Sequence, residues 1–420
     1  MVENFLLQIR DSMKMMTLLS FLLIFLVACN KEDPTPTPPT SKIFETVWST
    51  RIYEAPLENV GSDNAYLYKN WYILTGDHWA TNDPSLFAFD TKTGQLAWKW
   101  TQTGRIQDPG YLLEGKDNIL IILTSKGIFS FDIEQQKTRW EIVFEDFNSV
   151  RGNGIVIRDD FVYFTMSYFN FSGPETYYRA NINTGITEKI YMVEINNFWS
   201  PSLSPPAFWK NPSTGDTLMV FLNGKSKSGH GPETSPTDLI AVNLTTKKLA
   251  WQIDSIMEVP TNLGNPPVIY ENSVIFGGDW SIYSVDLVEA KVEWRTQFTN
   301  MMKVGNFNRT GLLLEGNRVY ANPDVFDVMC LDAKTGSVIW HNKNAAANCS
   351  PNMLYKDDML IIGSFGLGSV IIMDALTGNV IHKEQGSRTF YTDVLYDEAT
   401  DMYFVQDFAQ AVGFKINKPK

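Results

Sequence analysis

One hairpin recurs along this chain and limits its fold more than any other feature. A strand of large apolar residues ends in Asp or Asn, a tight turn follows, and a second strand carries Trp. The instances are LFAFDTKTGQLAWKW (86–100), IFSFDIEQQKTRWEI (128–142), YYRANINTGITEKIY (177–191), LIAVNLTTKKLAWQI (239–253), IYSVDLVEAKVEWRT (282–296), VMCLDAKTGSVIWHN (328–342) and VIIMDALTGNVIHKE (370–384). Asp90, Asp132, Asn181, Asn243, Asp286, Asp332 and Asp374 open the turns, where a short carboxylate or amide can accept a backbone N–H two residues on. Gly94, Gly185, Gly336 and Gly378 stand four residues after the Asx and supply the left-handed conformation of a bulged hairpin. Turn chemistry therefore accounts for the repeat without a ligand.

Eight residues after the Asx come Trp98, Trp140, Trp251, Trp294 and Trp340, with Lys189 and His382 in the other two hairpins. A Trp repeated at one place in each sheet is a packing device, because its flat face can seal one sheet against the next. Two residues before the Asx stand Ala88, Ser130, Ala241, Ser284 and Cys330, small residues suited to a crowded seam. Successive Asx residues are 42, 49, 62, 43, 46 and 42 apart, a period of four-stranded propeller blades. The final AVGFKINKPK reads as the first half of an eighth hairpin, and TVWSTRI at 46–52, with Trp48, as a second half lacking its first. The expectation is an all-β, eight-bladed β-propeller of four-stranded antiparallel blades, its ring closed by the N-terminal strand. Seven blades is the alternative, because the hairpin at Asn181 is irregular.

Thr17 to Ala28 form an apolar run between Lys14 and Cys29, shorter than the roughly 20 residues of a membrane-spanning helix. Leu26-Val27-Ala28-Cys29 resembles the lipobox of bacterial lipoproteins. That resemblance implies a signal peptide over 1–28, lipidation of Cys29 as the membrane anchor, a Pro/Thr-rich tether over 29–44 and a propeller over 45–420. Lys31-Glu32-Asp33 resembles the lipoprotein export signal of some Gram-negative bacteria. Outer-membrane attachment is expected, with the propeller on the cell surface or on the periplasmic side. The formal charge of -12 speaks against a protein that holds nucleic acid by its phosphates.

The D-x-K-T-G-x-x-x-W hairpins resemble the pyrroloquinoline-quinone-type propeller repeat over nearly the whole mature segment. That family includes quinone-dependent dehydrogenases and non-catalytic lipoproteins such as the outer-membrane barrel-assembly scaffold, and fold alone does not choose between them. The vicinal Cys pair and C-x-x-C-H motif of the dehydrogenases are missing, since the only cysteines are Cys29, Cys330 and Cys349. His78, His230, His341 and His382 lack zinc-ligand spacing, and no nucleophile elbow, phosphate loop or H-E-x-x-H occurs. No cofactor or catalytic residue is expected. Quinone and calcium belong only to the alternative of an envelope enzyme, dehydrogenase-like or glycan-active.

Long connections on one face of the ring are where recognition is expected. They are 77–84, 168–175, 196–206, 223–237 and 306–310. His78, Trp79, Tyr168, Phe169, Phe171, Phe198, Trp199, Trp280, Arg309 and Arg388 are the candidate binding residues there, because exposed aromatics beside Arg suit a protein hot spot or a sugar ring. The expected function is a non-catalytic, lipid-anchored binding or scaffolding propeller. Its expected partner is an envelope protein or an extracellular glycan.

Overall fold

The computed structural model describes residues 43–52, 65–78, 83–101, 110–124, 127–144, 154–166, 173–194, 199–227, 236–257, 266–278, 280–298, 311–322, 327–343, 345, 353–364, 369–385, 394–407 and 410–417. Residues 43–418 form one compact unit. Among the described residues there is no helix, and strands assemble into eight antiparallel sheets. Seven are sequential: blades 1 to 7 span 65–101, 110–143, 156–193, 199–257, 268–297, 311–342 and 353–385.

Blade 8 joins the two ends of the chain. Leu395–Asp397, Met402–Asp407 and Gln410–Ile416 supply three strands, and Phe44–Arg51 pairs with the last as the outer fourth. Phe44 lies opposite Ile416, Trp48 opposite Gly413 and Arg51 opposite Gln410. The ring thus has eight blades, and seven is set aside.

Alternation along each strand sends side chains into the two crevices beside its blade. Eight apolar clusters result, one for every pair of neighbouring blades. Ile73, Trp98, Phe129 and Phe131 fill the seam between blades 1 and 2, Tyr163, Tyr177, Phe221 and Ile240 that between 3 and 4, and Trp48, Tyr72, Phe89 and Phe404 that between 8 and 1. A core divided into seams makes each blade a partner of only two others, and closure gives every blade both.

Blade 4 departs from the four-strand expectation. Both Trp199–Leu203 and Ala207–Lys210 pair with Thr217–Lys227, so its sheet has five strands. The break between them is Ser204-Pro205-Pro206, where proline cannot donate to a ladder. Ser204 bridges it, its N–H donating to Leu222 O (2.9 Å) and its Oγ accepting from Leu222 N–H (3.0 Å). Residues 199–203, expected within a loop, are therefore strand, and this insertion lies in the longest Asx spacing.

Candidate binding face

The seams explain what the repeated residues do. Each Asx oxygen accepts backbone N–H groups two and three residues on, as Asp332 does from Lys334 (3.1 Å) and Thr335 (2.8 Å) and Asn243 from Thr245 (2.9 Å) and Thr246 (3.0 Å). Asp90, Asn181, Asp286 and Asp374 repeat the pattern. At Asp132 only the N–H of Gln135 is held (2.8 Å). The Asp90 carboxyl sits below its ordinary value: partial burial pushes it up, but hydrogen bonds from Thr93, Asn70 and Lys92 outweigh that.

The carbonyl after five of the seven Asx residues is a docking point for the preceding blade. The indole N–H groups of Trp48, Trp140, Trp251, Trp294 and Trp340 donate to the oxygens of Thr91 (2.9 Å), Ile182 (2.9 Å), Leu287 (3.2 Å), Ala333 (3.2 Å) and Ala375 (3.0 Å). The ring then lies on the turn glycine. A Cβ added to Gly94, Gly185 or Gly336 would stand 2.5, 2.9 or 2.5 Å from the Trp of the blade before, and Gly378 is closed off by Trp340 in the same way. Gln136, Lys247 and Ala290 take the equivalent left-handed place in the other turns. Across its own hairpin each Trp faces the small residue: Trp98 opposes Ala88, Trp140 Ser130, Trp251 Ala241, Trp294 Ser284 and Trp340 Cys330.

Three seams differ. The buried Trp98 indole nitrogen has no hydrogen-bond partner, its ring lying edge-on to Trp71 (5.7 Å) and near Phe131 (5.9 Å). Between blades 3 and 4, where Lys189 replaces Trp, Glu188 takes ion pairs from Arg179 and from Lys247 of the next turn. In blade 7, His382 stacks on Phe44 (6.0 Å) and bonds Glu384 (3.0 Å).

All these turns lie on one face, with the short turns that join first to second strands. The connections on the opposite face hold the candidate binding residues. His78 ends Trp71–His78 opposite Asp83, and Trp199 begins Trp199–Leu203 opposite Lys227. Trp280 is half-buried, packs in the seam between blades 5 and 6, and its carbonyl accepts from Phe298 N–H (2.8 Å). These three stand at the long-loop ends of blades 1, 4 and 5. Trp79, Tyr168, Phe169, Phe171, Phe198, Arg309, Arg388 and the lipidation residue Cys29 lie outside the described residues.

A buried polar layer beneath that face was not anticipated. In blade 4 the Lys225 ammonium pairs with Asp238 (2.7 Å), whose Oδ1 also accepts from Ser255 N–H (2.9 Å). Glu175 of blade 3 accepts from Leu203 N–H of blade 4 (3.0 Å). Asn322 is fully buried at the long-loop end of blade 6. The signal was present as polar residues closing apolar strands, in VFLN, VYAN and YFVQD.

Around the inner strands Glu114 is the anomaly. It pairs with Ile121 where other blades place Val156, Val268, Leu313, Leu354 or Leu395. Burial pushes its carboxyl up to about 7 against one opposing backbone hydrogen bond from Gly115. The Cys330 thiol is free and buried, and burial raises it to about 12; Cys349 lies outside the described residues. His341 bonds Asp327 (2.8 Å). Among the described residues, no three His, Cys, Asp or Glu side chains stand close enough to hold a metal.

A protein family described as outer membrane protein assembly factor BamB matches residues 308–403, the stretch of blades 6 and 7 and the start of blade 8. No curated protein sequence matches the chain. Among solved structures, BamB from Moraxella catarrhalis superposes with a TM-score of 0.56 at 12% identity, covering 89% of this chain and 100% of that one. The quinohemoprotein alcohol dehydrogenase ADHIIG from Pseudomonas putida HK5 gives 0.63 at 10% identity, covering 90% and 77%. The computationally designed Ika8 protein gives 0.63 at 13%, covering 89% and 100%. One fold thus hosts an assembly factor, an oxidoreductase and a designed ring.

Proposed function

We propose that this chain, a β-propeller of the pyrroloquinoline-quinone-like type, is a binding or scaffolding protein tethered to the bacterial outer membrane through Cys29. It presents its long-loop face to an envelope protein. The observation that carries this reading is the match of residues 308–403, blades 6 and 7 with the start of blade 8, to the assembly-factor family. The lipobox-like segment before Cys29 supports the anchor.

The mechanism is geometric. The seam Trp and Asx groups hold eight blades in fixed relation, so loops from several blades meet a partner with little ordering cost. Crosslinking intact envelopes, capturing the lipidated protein and identifying what is bound tests this. A stoichiometric envelope protein, lost when Trp79, Phe169 and Phe198 are replaced together by Ala, is the expected result. Recovery of glycan alone, or turnover of alcohols or sugars after reconstitution with quinone and calcium, would overturn it in favour of polymer binding or catalysis.

A further inference from the structure

The register of the closing strand fixes where an N-terminal anchor leaves the ring. Phe44–Arg51 runs antiparallel to Gln410–Ile416, with Phe44 opposite Ile416 and Arg51 opposite Gln410. Ile416 precedes Asn417, which occupies the Asx end of the blade 8 hairpin, and the Asn417 N–H donates to Ile43 O (2.8 Å). Phe44 is buried and stacks on Phe414 (4.4 Å). Ile43, the first described residue, therefore stands at the short-turn face, at a point pinned by a hydrogen bond and a ring stack.

From this we infer that the short-turn face is the membrane-proximal side of the anchored propeller and that the long-loop face is held outward; the inference rests on the lipid-anchor reading above. Fifteen residue steps separate Cys29 from Phe44, and a chain spans at most about 3.5 Å per residue, a reach of about 50 Å. The eight residues of Phe44–Arg51 rise about 26 Å. Turning the ring over would commit about half of the reach to climbing past the blade, an entropic cost that the upright arrangement avoids. The short-turn face carries exposed Asp159, Asp357 and Asp401 together with exposed Lys69, Lys92, Lys247 and Lys334, a mixed surface with no block of cations to hold it flat on anionic lipid.

The test uses full-length lipidated protein in vesicles of phosphatidylethanolamine and phosphatidylglycerol carrying a headgroup energy acceptor. Donor dyes are placed on Lys92→Cys or Glu289→Cys at short-turn tips, and on Arg51→Cys or Gln297→Cys at the opposite strand ends. All four positions are exposed. Cys349→Ser is included throughout, and the buried Cys330 is left in place. Energy transfer from the short-turn pair about twofold or more above that from the other pair is the expected result. Equal transfer, or stronger transfer from Arg51→Cys and Gln297→Cys, overturns the orientation while leaving the anchor intact. Mass spectrometry of the same protein separates the two ideas, because an unmodified Cys29 removes both.

Discussion

Gly336→Ala isolates the contact between a turn glycine and the tryptophan of the preceding blade. The residue has φ +69, and an added Cβ would stand 2.5 Å from Trp294 Cε3, against about 3.5–4.0 Å for an ordinary carbon contact. The indole must retreat by about 1 Å. That lifts its N–H, now 3.2 Å from Ala333 O, beyond hydrogen-bond range. Left-handed strain costs about 1–2 kcal/mol, overpacking about 1–3 and the lost hydrogen bond about 1, so a loss of about 3–6 kcal/mol is expected. Gly215→Ala is the matched control: its φ is +76, and nothing lies within 4 Å of the added Cβ. It should cost only the strain. For a propeller of this length, at about 2.1 cal/mol/K per residue, 1 kcal/mol lowers Tm by about 1.3 °C. Circular dichroism melts should therefore fall by about 4–8 °C for Gly336→Ala and about 1–3 °C for Gly215→Ala. In a Trp294→Ala background the first should shrink toward the second without reaching it, because Thr296 Oγ1 still stands 2.8 Å from the added Cβ. Equal shifts in the native background, or no shrinkage in the other, would refute the clash as the cause.

Trp98→Phe should cost about 1 kcal/mol less than Trp140→Phe by urea denaturation, since only Trp140 gives up an indole hydrogen bond. Glu114 binds a proton more tightly when folded, so its penalty is absent below the unfolded carboxylate range, grows as pH rises toward 7 and is complete above it. Glu114→Gln should accordingly stabilise the protein by about 1–3 kcal/mol at pH 8, after discounting for partial exposure, and leave stability at pH 4 unchanged; equal effects at both would count against it. Lys247→Met removes one cation from Glu188 at an exposed site. It should lower stability by less than about 1 kcal/mol in low salt and by nothing measurable in 1 M salt.

The architecture was legible because turn chemistry and Trp recur at fixed offsets. Asp90, Asp332 and Asp374 announce their hairpins by a motif with one low-energy solution, and the orphan Trp48 strand by its missing partner. Asn211 marks the limit of that signal. Its Oδ1 accepts from Ser213 (2.8 Å) and Thr214 (3.3 Å), and Gly215 follows as in the repeat, yet this turn lies within blade 4 between Ala207–Lys210 and Thr217–Lys227, and its Trp209 stands two residues before the Asx, donating to Glu271 O of blade 5 (3.1 Å), with Met219 eight residues after it. Local turn energetics specify a turn, and the Trp eight residues on, where present, adds the signature of a blade hairpin. The strand Trp199–Leu203 was hidden because Pro201, Pro205 and Pro206 read as loop. The candidate aromatics follow no period at all, so the sequence nominates Trp79 or Phe198 by composition and position alone.

On the proposed binding role, stability and recognition are separated along the strand axis. Indole-to-carbonyl contacts, Asx turns and turn glycines all act at the short-turn end, where five of the eight blades grip the next through the same indole hydrogen bond. At the other end, the buried polar groups of Asp238 with Lys225 and of Glu175 with Leu203 N–H tie strand ends together without any repeated sequence requirement. A substitution in a long loop therefore leaves every Trp seat intact, while a change at a Trp seat alters the spacing of two blades and of all the loops they carry. Binding at the long-loop face should thus be sensitive to Trp294 and Gly336 although neither can touch the partner. That coupling runs through the rigid blade, with the strand Lys291–Gln297 as the lever between the seam and the loops.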